Sequence, residues 1–163
     1  MITLFDAFAG YGGAHFSLKK SKIPHKTVGF SEIDKHAIYI YRLNHGNITN
    51  FGDITVIDSR ELPDFNFFSG GFPCQPFSIV AQNPPRIGIE SEIGQLFFEL
   101  VRILKDKKPS CFIAENVKGI LSANGGKAFD LIIKELENAG YVLNYQVINS
   151  QNFGVPQKRE RVF

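Results

Sequence analysis

The sequence has no long apolar run. Its uninterrupted hydrophobic stretches extend only a few residues, far short of the roughly 20 that span a bilayer. The opening Met1-Ile2-Thr3-Leu4-Phe5-Asp6 places no basic segment ahead of an apolar one, so neither a membrane span nor a secretory signal is expected. An excess of one charge is also missing: 18 Lys+Arg against 16 Asp+Glu leave +2. A nucleic-acid surface therefore has to be local. Cysteine occurs only twice, Cys74 in a Gly/Pro-rich loop and Cys111 at the head of an apolar run. Free thiols in a reducing, cytoplasmic compartment are the simpler reading. His15, His25, His36 and His45 have no Cys or carboxylate partners at metal-ligand spacing, so no metal is expected. Repeats, low-complexity tracts and Ser/Gly linkers are absent, and nothing divides residues 1–163 into two domains.

What is present is the mixture of a globular domain, 44% hydrophobic and 21% charged over 163 residues. A chain of this length buries about 68–70% of its unfolded surface. Ile2 to Phe8 reads as a strand, Ala9-Gly10-Tyr11-Gly12-Gly13 as a glycine turn and Ala14 to Lys20 as a helix. Lys26 to Ser31 reads as a second strand. Asp34 then caps a helix that is expected to bury Ala37, Ile38, Ile40, Tyr41 and Leu43. A short strand, Phe65 to Ser69, feeds a long loop from Gly70 to Ser91, of the length usually reserved for function. Gln95 to Lys105 and Phe129 to Ala139 have helical spacing, Gly140 ends the latter, and Cys111 to Ala114 reads as a buried strand. Tyr141 to Ile148 and Arg159 to Phe163 are further strand candidates, and the chain is expected to end inside an element. Strands alternating with helices predict an α/β fold, a doubly wound and mainly parallel sheet covered on both faces.

A glycine turn between the first strand and the first helix is where nucleotide-like ligands meet such a sheet, because the backbone approaches them without a Cβ in the way. Gly10-x-Gly12-Gly13 is neither Gly-x-Gly-x-x-Gly nor a phosphate cradle. Read alone, it is equally a turn that starts a helix. Glu32 stands 22 residues after Gly10 at the end of the second strand. An acid about 20 residues on can accept from ribose hydroxyls. Asp53, in Gly52-Asp53-Ile54, could accept from an adenine amine, although either acid could equally cap a helix or face solvent. Without phosphate-binding features, the pattern favours an adenosine cofactor that has no pyrophosphate.

The sharpest feature is Gly70-Gly71-Phe72-Pro73-Cys74-Gln75-Pro76-Phe77-Ser78. A cysteine held between two prolines at a strand exit is stiffly presented, as a nucleophile has to be. Cys111, followed by Phe112, Ile113 and Ala114, fits a buried small side chain instead. Glu115-Asn116-Val117 leaves its strand at the carboxyl end, where a carboxyl in a closed site can act as an acid, or else cap a helix. Gln157-Lys158-Arg159-Glu160-Arg161 is the densest basic run, and strand alternation puts Arg159 and Arg161 on one face, whether that face is a site or a solvated edge.

Taken in order, Phe8-Ala9-Gly10-Tyr11-Gly12-Gly13, Glu32, Gly52-Asp53-Ile54, Gly71 to Ser78, Glu115-Asn116-Val117 and Gln157 to Arg161 resemble the DNA (cytosine-5) methyltransferase family over essentially the whole chain. The resemblance implies the S-adenosylmethionine-dependent, Rossmann-like form of the fold. Its catalytic chemistry would have Cys74 add to carbon 6 of a flipped-out cytosine, Glu115 hold or donate a proton at ring nitrogen 3, and Arg161, supported by Arg159, bind the ring oxygen. S-adenosylmethionine would supply the methyl group and leave as S-adenosylhomocysteine. Phe8 would lie beside the adenine, with Glu32 on the ribose and Asp53 on the adenine amine. Gly10, Tyr11, Gly12, Gly13, Ile33, Ile54, Pro73 and Leu96 would complete that pocket.

Two departures accompany the likeness. Ile33 stands where the family often has an aromatic, and Ser91 and Ile93 fall where many relatives have an Asp and an Arg. The family's target-recognition domain and C-terminal motifs are not matched, so the resemblance implies the front, catalytic portion of such an enzyme, as a fragment or as one subunit of a split enzyme. Its implied partners are duplex DNA and a second subunit or C-terminal half that carries target recognition, in a bacterial cytoplasm or nucleoid, as in restriction-modification. An RNA cytosine-5 methyltransferase relative and a non-catalytic cofactor-binding module are the alternative readings.

Overall fold

The computed structural model describes residues 1–73 and 92–163, with side chains of the second stretch described from residue 96 onward. The chain divides into two compact units, Met1–Gly71 with Arg102–Ile113, and Phe72–Val101 with Ala114–Phe163. Among the described residues, no helix is long and apolar enough to cross a membrane.

The first unit is built on β1 (Ile2–Ala7), α1 (Gly13–Lys20), β2 (His25–Ser31), α2 (Lys35–His45) and β3 (Phe67–Gly70). With β4 (Cys111–Ala114), the strands form one sheet in the order β2-β1-β3-β4. β1 pairs in parallel with both β2 and β3. Strand order with β1 inside, and α1 crossing from β1 to β2, is the β-α-β logic of a doubly wound sheet, as the alternation predicts. Phe5, fully buried on β1, packs its ring 5.2 Å from Phe65 and 6.1 Å from Phe68. Its contact with Phe51, at 5.8 Å, requires Gly29 on β2, since a Cβ there would lie 2.6 Å from the Phe51 ring. The β1–β2 register shifts between Leu4 and Phe5, one residue from the pair Phe5↔Gly29.

The expected buried side of α2 is narrower than the apolar spacing suggests. Asp34 does cap the helix, accepting from Ala37 N at 2.7 Å. Tyr41 is fully buried and stacks on Phe30 at 3.9 Å, and Ile38 packs against them. Ile40 and Leu43, however, are 43% and 65% exposed. One helix face of about 100° meets the sheet, and these two side chains fall outside it. β4 likewise departs from the reading of a buried strand. Cys111 is an exposed free thiol and Ile113 is exposed, because β4 stands at the edge of its sheet.

The second unit carries an antiparallel sheet that the mainly parallel reading does not contain. Its strands are β5 (Asn116–Val117), β6 (Val147–Asn149) and β7 (Glu160–Val162), in the order β5-β7-β6. β7 pairs antiparallel with both neighbours. α4 (Lys127–Asn138) buries Ala128, Ile132 and Leu136, and Gly140 at φ +96 follows it. The strand expected from Tyr141 shrinks to Val147–Asn149. The register Val147↔Val162 brings Gln146 opposite Phe163, with which it exchanges two backbone hydrogen bonds at 3.0 Å. Residues 141–145 are not strand, and Val142 is 96% exposed. β-propensity without a partner strand does not make a strand. α3 (Glu92–Lys107) begins in this unit and ends in the first.

Candidate functional site

In the first unit the chain leaves β1 through a turn held by both backbone and side-chain bonds. Phe8 and Gly10 have φ of 51 and 55, and Gly12 has φ 88. Ala9 N donates to Ser31 O at 3.1 Å, and Gly12 N donates to Ala9 O at 2.8 Å. Glu32 binds the same turn: its Oε2 accepts from Gly10 N at 2.8 Å, while Oε1 accepts from Ile33 N and Asp34 N at 2.8 and 2.9 Å. Glu32, expected as a ribose acceptor from its spacing to Gly10, thus also bonds the turn directly. A carboxylate has about four acceptor sites, so three amides leave capacity for a hydroxyl.

Asp53 does what a helix cap does, its Oδ1 accepting from Thr55 N and Thr55 Oγ1, both at 2.9 Å. Its Oδ2 stays outside that cap. Ile54 is buried, Ile33 is 70% exposed and Phe8 is half-buried. Asn50, which sequence reasoning passes over, braces this edge. Its Oδ1 accepts from Glu32 N and Gly52 N at 3.1 Å, and its Nδ2 donates to Glu32 O at 3.0 Å. Only the placement of an amide between two acids hints at such a role.

Asp6 is the other residue that the motifs do not single out. It sits on β1 at 3% exposure, and its Oδ2 has no hydrogen-bond partner. Burial pushes its carboxyl up to about 7, against a lowering hydrogen bond from Ser69, with the Glu32 charge adding to the rise. A buried carboxyl with a free acceptor at the ligand end of a strand is a site signal. Alternation hides it in sequence, where Asp6 is one polar residue between Phe5 and Ala7.

The turn also has room for a ligand. A Cβ added at Gly10 or Gly13 would meet nothing within 4 Å. α1 has no side-chain cap and no acid in its first turn, so its first N–H groups are open to an anionic ligand group. Adenosine hydroxyls suit Glu32, a cationic group suits Asp6, and a carboxylate suits the start of α1. The donor set fits S-adenosylmethionine.

The second unit gathers the charged residues. Glu115 follows β4 directly, and Arg161 lies on β7, whose register pairs it with Val117. Arg161 Nε lies 2.8 Å from Glu115 Oε1, and Arg159 Nη2 lies 3.8 Å from the same oxygen. The 2.8 Å contact is off the N–H direction, which leaves Nε without a formal hydrogen bond, so the link is chiefly ionic. Arg161 is 20% exposed and Arg159 50%. The two arginines expected to share a face do so, and their face is the one that meets Glu115.

Asn116, buried at 3%, donates from Nδ2 to Phe72 O at 3.2 Å and accepts from Val117 N at 2.8 Å. It thus holds the backbone immediately before Pro73, a role the Glu-Asn-Val motif does not reveal by itself. Phe72 is buried against Phe97, 5.4 Å between rings, and Pro73 and Leu96 are half-buried. Cys74, Ser91 and most of the loop from Gly70 to Ser91 lie outside the described residues, as does the side chain of Ile93. Among the described residues no group of His, Cys, Asp and Glu is arranged to hold a metal.

Comparison with known proteins places these observations. Residues 2–163 match the family described as C-5 cytosine-specific DNA methylase. The chain is 40% identical over 163 residues to the type II methyltransferase M.NlaX of Neisseria lactamica, covering all of this chain and 51% of that protein. It is 41% identical over 161 residues to the type II methyltransferase M.BsuFI of Bacillus subtilis, covering 99% of this chain and 38% of that protein. The solved Dnmt2 methyltransferase of S. pombe superposes with a TM-score of 0.80 at 26% identity, covering 99% of this chain and 49% of that one. The chain thus spans about half the length, or less, of these relatives.

Proposed function

Since this chain belongs to the C-5 cytosine-specific DNA methylase family, we propose that it is the cofactor-binding and catalytic portion of a DNA cytosine-5 methyltransferase of the restriction-modification type, acting on duplex DNA in the cytoplasm, with residues 1–163 serving as one catalytic domain. Bound S-adenosylmethionine supplies an electrophilic methyl group. Glu32 would hold its ribose hydroxyls, the open N–H groups at the start of α1 its carboxylate, and Asp6 its cationic end. Phe8, Tyr11, Ile33, Asp53 and Ile54 would line the remainder. DNA-side target recognition would come from the length of the relatives that this chain does not match.

Cytosine carbon 5 is a poor nucleophile until something adds to carbon 6. Cys74, assigned on its sequence setting, would form that bond as a thiolate, moving the ring's electron pair toward nitrogen 3. Glu115 would hold the proton that nitrogen 3 takes up, and Arg161 would stabilise the ring oxygen as charge builds there, with Arg159 behind it. Carbon 5, now an enamine carbon, can be methylated. Transfer of the carbon 5 proton to a solvent base then re-forms the 5,6 double bond as the bond from carbon 6 to sulfur breaks, and Cys74 leaves as a thiolate. The observation that carries this reading is the Glu115–Arg161 pair at 2.8 Å. Two motifs far apart in sequence are joined as an acid and a cation, which is what addition to a protonatable ring requires.

Tritiated methyl incorporation into duplex DNA, and a denaturation-resistant adduct on DNA carrying 5-fluorocytosine, test it in the protein as expressed from its gene. Fluorine cannot leave carbon 5 as a cation, so the adduct persists. Both signals are expected from the parent and neither from Cys74→Ala, while Cys111→Ser keeps both. An adduct that forms in Cys74→Ala would refute the assignment.

A further inference from the structure

Three of the four histidines, widely separated in sequence, meet in the first unit. His15 on α1 lies 4.8 Å from His25 on β2 and 4.2 Å from His45 at the end of α2, ring centre to ring centre. Phe16 and Tyr41 set their rings edge-on to His45, at 4.6 and 4.8 Å. The cluster is wired to backbone. His45 Nε2 donates to Tyr11 O at 2.9 Å, His25 Nδ1 donates to Ile23 O at 2.8 Å, and His15 Nδ1 meets Thr27 Oγ1 at 2.7 Å. A carbonyl only accepts, so the first two bonds fix their tautomers. The remaining nitrogens, His45 Nδ1 and His25 Nε2, are buried with no partner.

His45 is also what fills the space behind the glycine turn. A Cβ at Gly12 would lie 2.3 Å from its Nε2 and 2.9 Å from the Tyr41 ring. The imidazole therefore packs against the Gly12 backbone while it holds the carbonyl of the preceding residue. We propose that His45 is a positioning residue of the turn: its neutral Nε2–H tautomer holds Tyr11 O and backs Gly12, so the turn keeps its ligand-ready shape only while His45 is uncharged. That the ligand is S-adenosylmethionine rests on the functional reading above.

The environment supports a neutral resting state. The groups facing His45 are His15 and Lys19 of α1, His25 beyond His15, and Tyr41 of α2. None of these described groups is a carboxylate. Burial, outweighing the Tyr11 bond and aided by Lys19, holds His45 below its ordinary value. Burial, then His45, His25 and Lys19, holds His15 down at about 4. A proton added to His45 would go to Nδ1, where no acceptor waits. A histidine depressed in the fold favours folding above its ordinary value of 6.5, and this contribution is lost as pH falls below that.

Two readouts on the full chain test the proposal between about pH 5 and 8: hydrogen exchange of the Gly12 amide, which needs no cofactor, and calorimetric affinity for S-adenosylmethionine. His45→Phe keeps a ring and loses the donor, whereas His45→Gln keeps a donor and cannot titrate. His45→Phe should exchange Gly12 about tenfold faster and bind about tenfold more weakly near neutrality, as expected when a bonded carbonyl loses its donor. His45→Gln should stay within a few-fold of the parent in both and lose most of the parent's decline in acid. Gly12 exchange in His45→Phe equal to the parent's, or an undiminished acid decline in His45→Gln, would overturn the proposal. A parent that binds no S-adenosylmethionine yet shows the expected exchange pattern would refute the functional reading and leave the positioning role supported. If His45→Phe does not fold, the glutamine variant's pH profile decides.

Discussion

The two units solve the problem of a site by opposite means. In the first, the elements that would take a cofactor are a backbone turn, with positive-φ residues at 8, 10 and 12, and one side chain locked onto it, the Glu32 carboxylate that already grips three amides. In the second, they are long charged side chains, Glu115 just before β5 with Arg159 just before β7 and Arg161 on β7, the two strands pairing with each other. A backbone-built site is stiff and intolerant of added atoms. A charge-built site tolerates isosteric change structurally while its chemistry fails. The difference predicts where mutations will register, as lost folding or as lost rate.

The largest effect is expected on the charged side. Glu115→Gln preserves shape but removes the carboxyl that would hold the proton at ring nitrogen 3, so methyl transfer should fall about 10²–10⁴-fold, the usual worth of a general acid or base. Its melting temperature should stay near the parent's, because the pair is partly exposed. Rate measurement alongside a thermal melt checks this. A large drop in melting temperature with a proportionate loss of rate would turn Glu115 into a structural residue and erase the contrast.

Next comes the backbone side. Gly12→Ala forces a Cβ at φ 88 into a space 2.3 Å from His45 Nε2. The unfavourable backbone region and the clash together should cost about 2–4 kcal/mol of stability. Gly13→Ala meets nothing within 4 Å and has no positive φ, and it starts α1. It should be neutral, or stabilising by about 0.4–1 kcal/mol. Denaturant midpoints of the pair compare two adjacent glycines. Equal loss in both would mean that the turn is sensitive to any side chain rather than to geometry at Gly12.

How much of this was legible in sequence follows the same divide. Motif residues whose role is fixed by neighbours in sequence, such as Gly10 to Gly13 after a strand and Asp34 before a helix, are readable because turn and cap chemistry is local. The spacing of Glu32 from Gly10 marks the residue, but its bonds to the amides of Gly10, Ile33 and Asp34 are visible only in the fold. Roles set by packing across elements were not readable. Asp6 looks like a polar break in an apolar strand until its burial is seen, and His15, His25 and His45 are unremarkable until three elements bring them together. Ile40 and Leu43 show the reverse failure, apolar residues at helical spacing that the sheet does not cover. In the second unit β6 and β7 fall within the spans Tyr141 to Ile148 and Arg159 to Phe163 that the sequence offers as strands, whereas β5, two residues long, is too short for a period to register, and the antiparallel pairing is set by contacts far apart in sequence.

Asp6 gives a prediction of intermediate size and unusual sign. Its carboxyl, raised from 3.8 to about 7 by burial, binds its proton more tightly folded than unfolded. Its contribution to stability is therefore full below about pH 3.8, falls as pH rises toward 7, and is lost above. Asp6→Asn removes that titration, so the variant should be more stable than the parent near pH 8, by about 1–3 kcal/mol, with the advantage vanishing in acid. Parallel urea titrations across this range measure it. A variant less stable at every pH would mean that the carboxylate is bonded in the fold by more than Ser69. Cofactor affinity in the same variant should fall, the usual exchange of stability against function at a site.

The smallest effect separates the two arginines. Arg159 lies 3.8 Å from Glu115 Oε1 and is 50% exposed, while Arg161 lies 2.8 Å away and is 20% exposed. Solvent screens the longer, more exposed pair, which leaves it in the range of ordinary surface ion pairs, about 0–1 kcal/mol. Arg159→Ala should therefore change stability by no more than that. It should slow methyl transfer only a few-fold, since its reach to the base would run through Glu115 and Arg161. Arg161→Ala removes the close partner and leaves a partly buried carboxylate facing only a distant cation, so it should lose far more rate. Rates of both variants, with raised salt as a second axis, settle the order: salt should matter more to what Arg159 contributes than to what Arg161 contributes. Equal losses in the two variants would show that Glu115 is held by both guanidinium groups together, and that exposure does not rank them.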